Sequence, residues 1–174
     1  MRLHPILHIH EVWLFHIITM CNCVLSSMPK KDMDKLQHVQ NAATHLVTET
    51  GKYEHGLSPR LMHDDLHWLV IPQRVQYKLA VTVHRCLCLL APWYLADCCV
   101  PVSQVPGRQH LRSARCHQLS VLRVCRSTFG THAFSVTVPT VWNSLPDNLR
   151  NPAVDSKQFR RDLKTYLFSG HSKH

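Results

Sequence analysis

Apolar residues recur at intervals of three and four in three separate stretches of this 174-residue chain. That periodicity constrains it more than any other feature, because it belongs to helices that bury one face. Between Asp32 and Thr48, Leu36, Val39, Ala43, Leu46 and Val47 fall on one side of a helix, with Asp32 placed to cap it and Gly51 to stop it. From Pro72 to Leu90, Val75, Leu79, Val83, Cys86 and Leu90 form a second stripe, with Pro72 in the first turn, where its missing N–H costs nothing. Near the end, Phe159, Leu163, Tyr166 and Leu167 form a third, capped by Asp155 or Ser156.

Prolines punctuate the intervals. Ser58-Pro59 reads as cap and first turn of a short helix through Leu61, Met62 and Leu66, after a turn at Lys52–Leu57. Ala91-Pro92 breaks the second helix, and Pro92–Cys98 reads as one further helical turn. Val100–Arg115, with Pro101, Pro106 and Gly107, reads as loop, and the alternation over Gln118–Val124 predicts a short strand. His132–Leu145 is ambiguous: Phe134, Val138, Val141, Trp142 and Leu145 have helical spacing, yet Pro139 kinks or starts that helix. The expected fold is mainly α, a small irregular helical domain with loops and at most a short β element. No internal repeat is visible.

Charge is distributed unevenly. Residues 1–99 hold 9 Lys/Arg against 8 Asp/Glu, a balance of +1, whereas residues 100–174 hold 11 against 3, a balance of +8. Such asymmetry points to a polyanionic partner, nucleic acid more often than an anionic membrane surface, with a merely basic soluble surface as the plain alternative. Residues 1–28 differ in composition: Val12–Leu25 is mostly apolar, carrying Trp13, Phe15, Ile17, Ile18, Val24 and Leu25. Arg2 before it and Ser26-Ser27 after it allow a weak signal peptide, but the run is too short and too polar for a membrane span. An incidental apolar leader is the favoured reading, followed by a helical segment over 29–99 and a basic, loop-rich and helical tail over 100–174, the span 29–174 forming one unit.

The eight cysteines, at 21, 23, 86, 88, 98, 99, 116 and 125, include an adjacent pair and two C-x-C pairs, spacings unlike a secreted disulfide scaffold. Reduced thiols in a cytoplasmic or nuclear compartment are the simpler account, with secretion through residues 1–28 as the alternative.

Six landmarks share an order over about 140 residues. Lys35-Leu36-Gln37-His38-Val39-Gln40-Asn41-Ala42-Ala43 resembles K-L-x-x-V-Q-N-x-A. Leu66-His67-Trp68-Leu69 with Arg74 and Lys78 is similar to L-H-W-L-x-x-x-x-R-x-x-x-K, and Leu90-Ala91-Pro92-Trp93-Tyr94-Leu95 to L-A-P-x-Y-L. Phe129-Gly130 before Ala133-Phe134-Ser135-Val136 resembles G-x-R-A-F-S-V, with His132 where Arg is usual. Trp142-Asn143-Ser144-Leu145-Pro146 with Leu149-Arg150 resembles W-N-S-L-P-x-x-L-R, and Phe159–Phe168 resembles F-x-x-x-L-K-x-x-L-F. Together they resemble the tail downstream of the reverse-transcriptase palm in non-LTR (LINE-type) retrotransposon polyproteins of the jockey and chicken-repeat kind. The resemblance implies a non-catalytic segment that supports template RNA or target DNA beside a palm, with Trp68, Trp93 and Trp142 packing against that domain. An endonuclease and the palm lie upstream in such elements, and neither fits here.

Reactive constellations are weak. Met62-His63-Asp64-Asp65 superficially matches a polymerase Asp-Asp turn, but the pair sits in a helix-like segment with no preceding partner carboxylate to complete a two-metal site. Cys98, Cys99, His110 and Cys116 depart from zinc spacing, so no metal or other cofactor is expected. Cys125 and His132 lack an orienting group and oxyanion donor, so no catalytic residue is assigned. What remains is nucleic-acid binding, to RNA or DNA, by Arg108, Arg112, Arg115, Arg123 and Arg126 in one cluster and Arg160, Arg161 and Lys164 in another, with Trp142, Phe129 and Tyr166 as candidate stacking faces. For Trp142 and Tyr166 a place in the core is the competing assignment. No small-molecule substrate is expected and a membrane is disfavoured. A protein partner docked on exposed apolar helices is the alternative.

Overall fold

The computed structural model describes residues 22–47, 66–122 and 133–169. A helical turn at residues 22–26 leads into α1 (Lys30–Val47). Helix α2 (Ile71–Leu87) and a short α3 (Trp93–Ala96) follow. A 3₁₀ turn at Val102–Gln104 and a short α4 (Arg112–Arg115) come next. Helix α5 (Phe134–Asn143), a second 3₁₀ turn at Asp147–Leu149 and α6 (Ser156–Ser169) complete the described elements. The domain is mainly helical.

Helix α2 is the axis. It packs against α5 and α6 and also meets α1 and α3. Its stripe buries Val75, Leu79, Val83 and Cys86 as the periodicity predicts, and Ala80, Thr82 and His84 widen it. The same core contains Val138 and Trp142 from α5 and Phe159, Leu163 and Leu167 from α6. Each large apolar side chain buried there is worth about 1.5–3 kcal/mol. Cys23 is fully buried in this cluster and Leu25 packs against it, so the boundary expected after residue 28 falls inside packed structure.

Helix α1 departs from its expected face. Val39 is 69% exposed, whereas Gln40 and Thr44 are buried. Gln40 Nε2 donates to the Leu69 carbonyl (2.9 Å), and Gln37 Oε1 accepts from the Ile71 amide (2.9 Å). The polar edge of the stripe is used because it satisfies the extended backbone of 69–71, which leads into α2 without a side-chain cap. Nor is Asp32 the cap: α1 begins at Lys30, the Pro29 carbonyl accepts from the Asp32 and Met33 amides, and the Asp32 carboxylate pairs with Lys35 (2.8 Å).

Helix α2 ends earlier than expected. Leu89 adopts φ 57°, the Leu90 amide donates to the Arg85 carbonyl (2.8 Å), and the Leu89 amide donates to Cys86 (3.2 Å). This is a Schellman closure with leucine in the left-handed position that glycine favours, and it leaves Leu90 outside the core, 58% exposed. Helix α4 closes the same way: His117 sits at φ 51°, and the Gln118 amide reaches the Ser113 carbonyl (3.0 Å).

Helix α5 resolves the ambiguity around Pro139. The segment is rich in β-branched residues and poor in helix propensity, yet it is helical through Pro139 because Phe134, Thr137, Val138, Pro139 and Trp142 are all buried. Pro139 removes one intrahelical donor, and burial outweighs that loss. Helix α6 is capped by Asp155, whose carboxylate accepts from the Lys157 amide (2.9 Å). Its stripe buries Phe159, Leu163 and Leu167, while Tyr166 turns outward, 40% exposed. The strand expected over 118–124 is reduced, within the described residues, to an isolated antiparallel bridge between Pro101 and Leu119. The expected short helix opening at Ser58-Pro59 lies outside the described residues.

Candidate nucleic-acid interface

The first basic cluster stands on a loop closed at its base. The Val102 amide donates to the Gln118 carbonyl (2.9 Å) and the Ser120 amide to the Val100 carbonyl (2.8 Å), so the two ends of the loop pair at the Pro101–Leu119 bridge. Gly107, at φ 76°, supplies the left-handed turn near its tip. Arg108, Arg112 and Arg115 are exposed along it.

The loop is clipped to the core by the landmark Trp142-Asn143-Ser144-Leu145-Pro146. Trp142 Nε1 donates to the His117 carbonyl (2.9 Å). Asn143 holds both backbone groups of Leu119, accepting from its amide (2.8 Å) and donating to its carbonyl (2.9 Å). Arg150, buried to 3% exposure, donates to the Asn143 carbonyl (2.8 Å) and pairs with the Asp147 carboxylate. Arg150 therefore ties the end of α5 to the 3₁₀ turn beyond it. Trp142 is fully buried, so of its two assignments the core is the one the structure bears out: its ring is core, not a stacking face, and its N–H is the clip.

The second cluster lies on the outer face of α6, where Arg160, Arg161 and Lys164 are exposed opposite Phe159 and Leu163. Among the described residues, none of the six cations in the two clusters forms an ion pair. Tyr166 shares the outer surface of α6 and keeps its eligibility as a stacking face. Arg123, Arg126 and Phe129 lie outside the described residues, as do the Met62–Asp65 segment, Cys125 and His132.

The structure adds a feature that the spacing of the arginines conceals. His67, Trp68, Leu69, Arg74, Tyr77, Lys78 and Lys164 line a groove of about 410 Å³ beside α2. Arg74 and Lys78 are one turn apart on the exposed side of α2, and Lys164 arrives from α6, its Nζ 5.5 Å from the centre of the Phe168 ring. Gln73 Nε2 donates to the Leu167 carbonyl (2.9 Å) and so fastens the start of α2 to the end of α6. His67 takes φ 50° and meets Phe168 edge-on at 6.5 Å. Of the six described cations singled out by sequence, Lys164 alone lines this groove. The i, i+4 spacing of Arg74 and Lys78 was readable as an exposed basic pair. The approach of Lys164 was not, because it depends on how α6 lies against α2.

The cysteines gather differently. The described ones, Cys23, Cys86, Cys88, Cys98, Cys99 and Cys116, are free. Burial pushes the Cys23 thiol up to about 12. A thiol–thiol hydrogen bond with Cys99 holds Cys86 below the usual range and raises Cys99 well above it. Among the described residues, no three His, Cys, Asp or Glu side chains are grouped to hold a metal ion. His84 is buried, stacks on Phe159 (4.3 Å between ring centres) and donates from Nε2 to the Val154 carbonyl (3.0 Å), which can only accept. Burial lowers its pKa, outweighing the opposing effects of that bond and of Asp155. No described helix is long and apolar enough to cross a membrane. Compared with protein-family models, curated proteins and solved structures, the chain matches none.

Proposed function

We propose that this chain is a non-catalytic nucleic-acid-binding domain, related to the post-palm tail of non-LTR retrotransposon polyproteins, that holds RNA or DNA chiefly through phosphates. The observation that carries the reading is the set of exposed cations without ion-pair partners, Arg108, Arg112 and Arg115 on one loop and Arg160, Arg161 and Lys164 on α6. Unpaired exposed cations release counterions when they meet a phosphate backbone and carry no sequence information. The six ordered landmarks support the relationship, and three of their residues, Trp142, Asn143 and Arg150, tie the fold together here.

The test is fluorescence anisotropy of the whole chain with labelled RNA and duplex DNA across salt. If all six cations engage a duplex, affinity falls about a thousandfold between 50 and 200 mM salt. Arg160→Ala with Arg161→Ala reduces both affinity and salt slope. Absence of binding at low salt by a folded sample removes the reading.

A second reading, a protein-interaction module, is favoured by one observation. Leu89, Leu90 and Trp93, at 85, 58 and 76% exposure, cluster at the α2–α3 turn. Apolar docking there would be insensitive to salt, which separates the two readings.

A further inference from the structure

We propose that the groove between α2 and α6 is a pocket for one unpaired nucleotide, with the base against Trp68 and the phosphate at Arg74, Lys78 and Lys164, so that the domain prefers single strands to duplex. This rests on the nucleic-acid reading and gives it a strand preference. Three observations converge. At about 410 Å³ the groove lies in the range of small-ligand pockets, about 300–1,000 Å³, and suits one splayed nucleotide better than a paired helix. Its described lining contains three cations and no carboxylate, which matches a phosphate. Its aromatic lining, Trp68 with Tyr77 and His67, offers flat faces of the kind on which unpaired bases stack. An acidic peptide would use the cations but leave those faces unused.

The walls are built before any ligand arrives. Leu69 and Ile71 are held by Gln40 and Gln37 of α1, and α2 is fastened to α6 by Gln73. The landmark Leu66-His67-Trp68-Leu69 with Arg74 and Lys78 thereby has a physical reason to keep its spacing: it places an indole and two cations around one opening. Walls whose backbone is already held reduce the ordering cost of binding to that of the cationic side chains.

Anisotropy of the whole chain with a short labelled single strand, a duplex of equal phosphate count and poly-glutamate tests this. The single strand is expected to bind about tenfold more tightly than the duplex. Trp68→Ala is expected to weaken single-strand binding about tenfold while leaving duplex binding unchanged, and separately Arg74→Gln with Lys78→Gln to weaken single-strand binding about tenfold and duplex binding by clearly less. The paired glutamine variant changes exposed side chains only, so it remains informative if Trp68→Ala fails to fold. Equal binding of strand and duplex, untouched by the groove variants, overturns the pocket and leaves the nucleic-acid reading standing. Binding of neither nucleic acid at low salt overturns both. Poly-glutamate binding as tight as the single strand, and lost in the glutamine variant, overturns the pocket in favour of an acidic peptide.

Discussion

Asn143 occupies a position where an ordinary polar residue does structural work through both ends of its amide. It replaces one missing rung of strand pairing at Leu119, accepting and donating in the same plane, while the Trp142 indole N–H holds the neighbouring His117 carbonyl. Truncation leaves a backbone amide and a part-buried carbonyl without partners. Asn143→Ala is therefore expected to cost about 1–3 kcal/mol, read as a lower urea midpoint with an unchanged slope. The landmark containing Trp142 and Asn143 was legible as a unit from the sequence, but its purpose was not. Apolar spacing assigns Trp142 to a helix face, and nothing local says that its N–H and the next residue's amide reach 24–25 positions back along the chain.

At the scale of elements, helix bodies were easier to read than helix ends. The α2 stripe of Val75, Leu79, Val83 and Cys86 is buried as spaced, because side chains three and four apart share one helix face whichever neighbours cover it. The end of α2 depends on Leu89 at φ 57°, where a leucine carries a steric penalty that glycine would not. Leu89 is 85% exposed, so its side chain contributes little packing in return. Leu89→Gly is expected to raise stability by a few tenths to about 1 kcal/mol, measured by thermal melting, since relief of the left-handed strain exceeds the entropy that glycine adds to the unfolded chain. Helix α1 shows the opposite limit. Its apolar spacing predicts the wrong buried edge, because Gln37 and Gln40 are recruited to satisfy the backbone of 69–71, a demand that arises only once the two segments meet.

For the molecule as a whole, the buried imidazole of His84 links stability to pH. Its pKa is lowered in the folded state, principally by burial, so the unfolded chain binds its proton first as the solution is acidified. The contribution of His84 is fully present above the unfolded value, about 6.5, and is lost progressively as pH falls from there through the lowered folded value. Stability measured by urea unfolding between pH 8 and 5 should decline below about pH 6.5 at a slope of at most ~1.4 kcal/mol per pH unit from this residue. His84→Gln should flatten that decline, though at lower stability because the stack on Phe159 is gone.

The sequence alone determined the helical class, the burial of Val75, Leu79, Val83 and Cys86 on α2 and of Phe159, Leu163 and Leu167 on α6, and the concentration of positive charge after residue 100, whereas the stretch 100–115 expected as loop holds a 3₁₀ turn and α4. The features it determined follow from neighbours along the chain: side chains three and four apart share a helix face, and prolines interrupt hydrogen bonding where they stand. The tertiary structure decided that Cys23 belongs to the core, that Trp142 is a clip and not a stacking face, that Tyr166 turns outward, and that Lys164 joins Arg74 and Lys78 around one groove. Those outcomes depend on which helix lies against which. That choice is made by the summed burial and hydrogen bonding of residues far apart in the chain, a quantity that no local spacing contains.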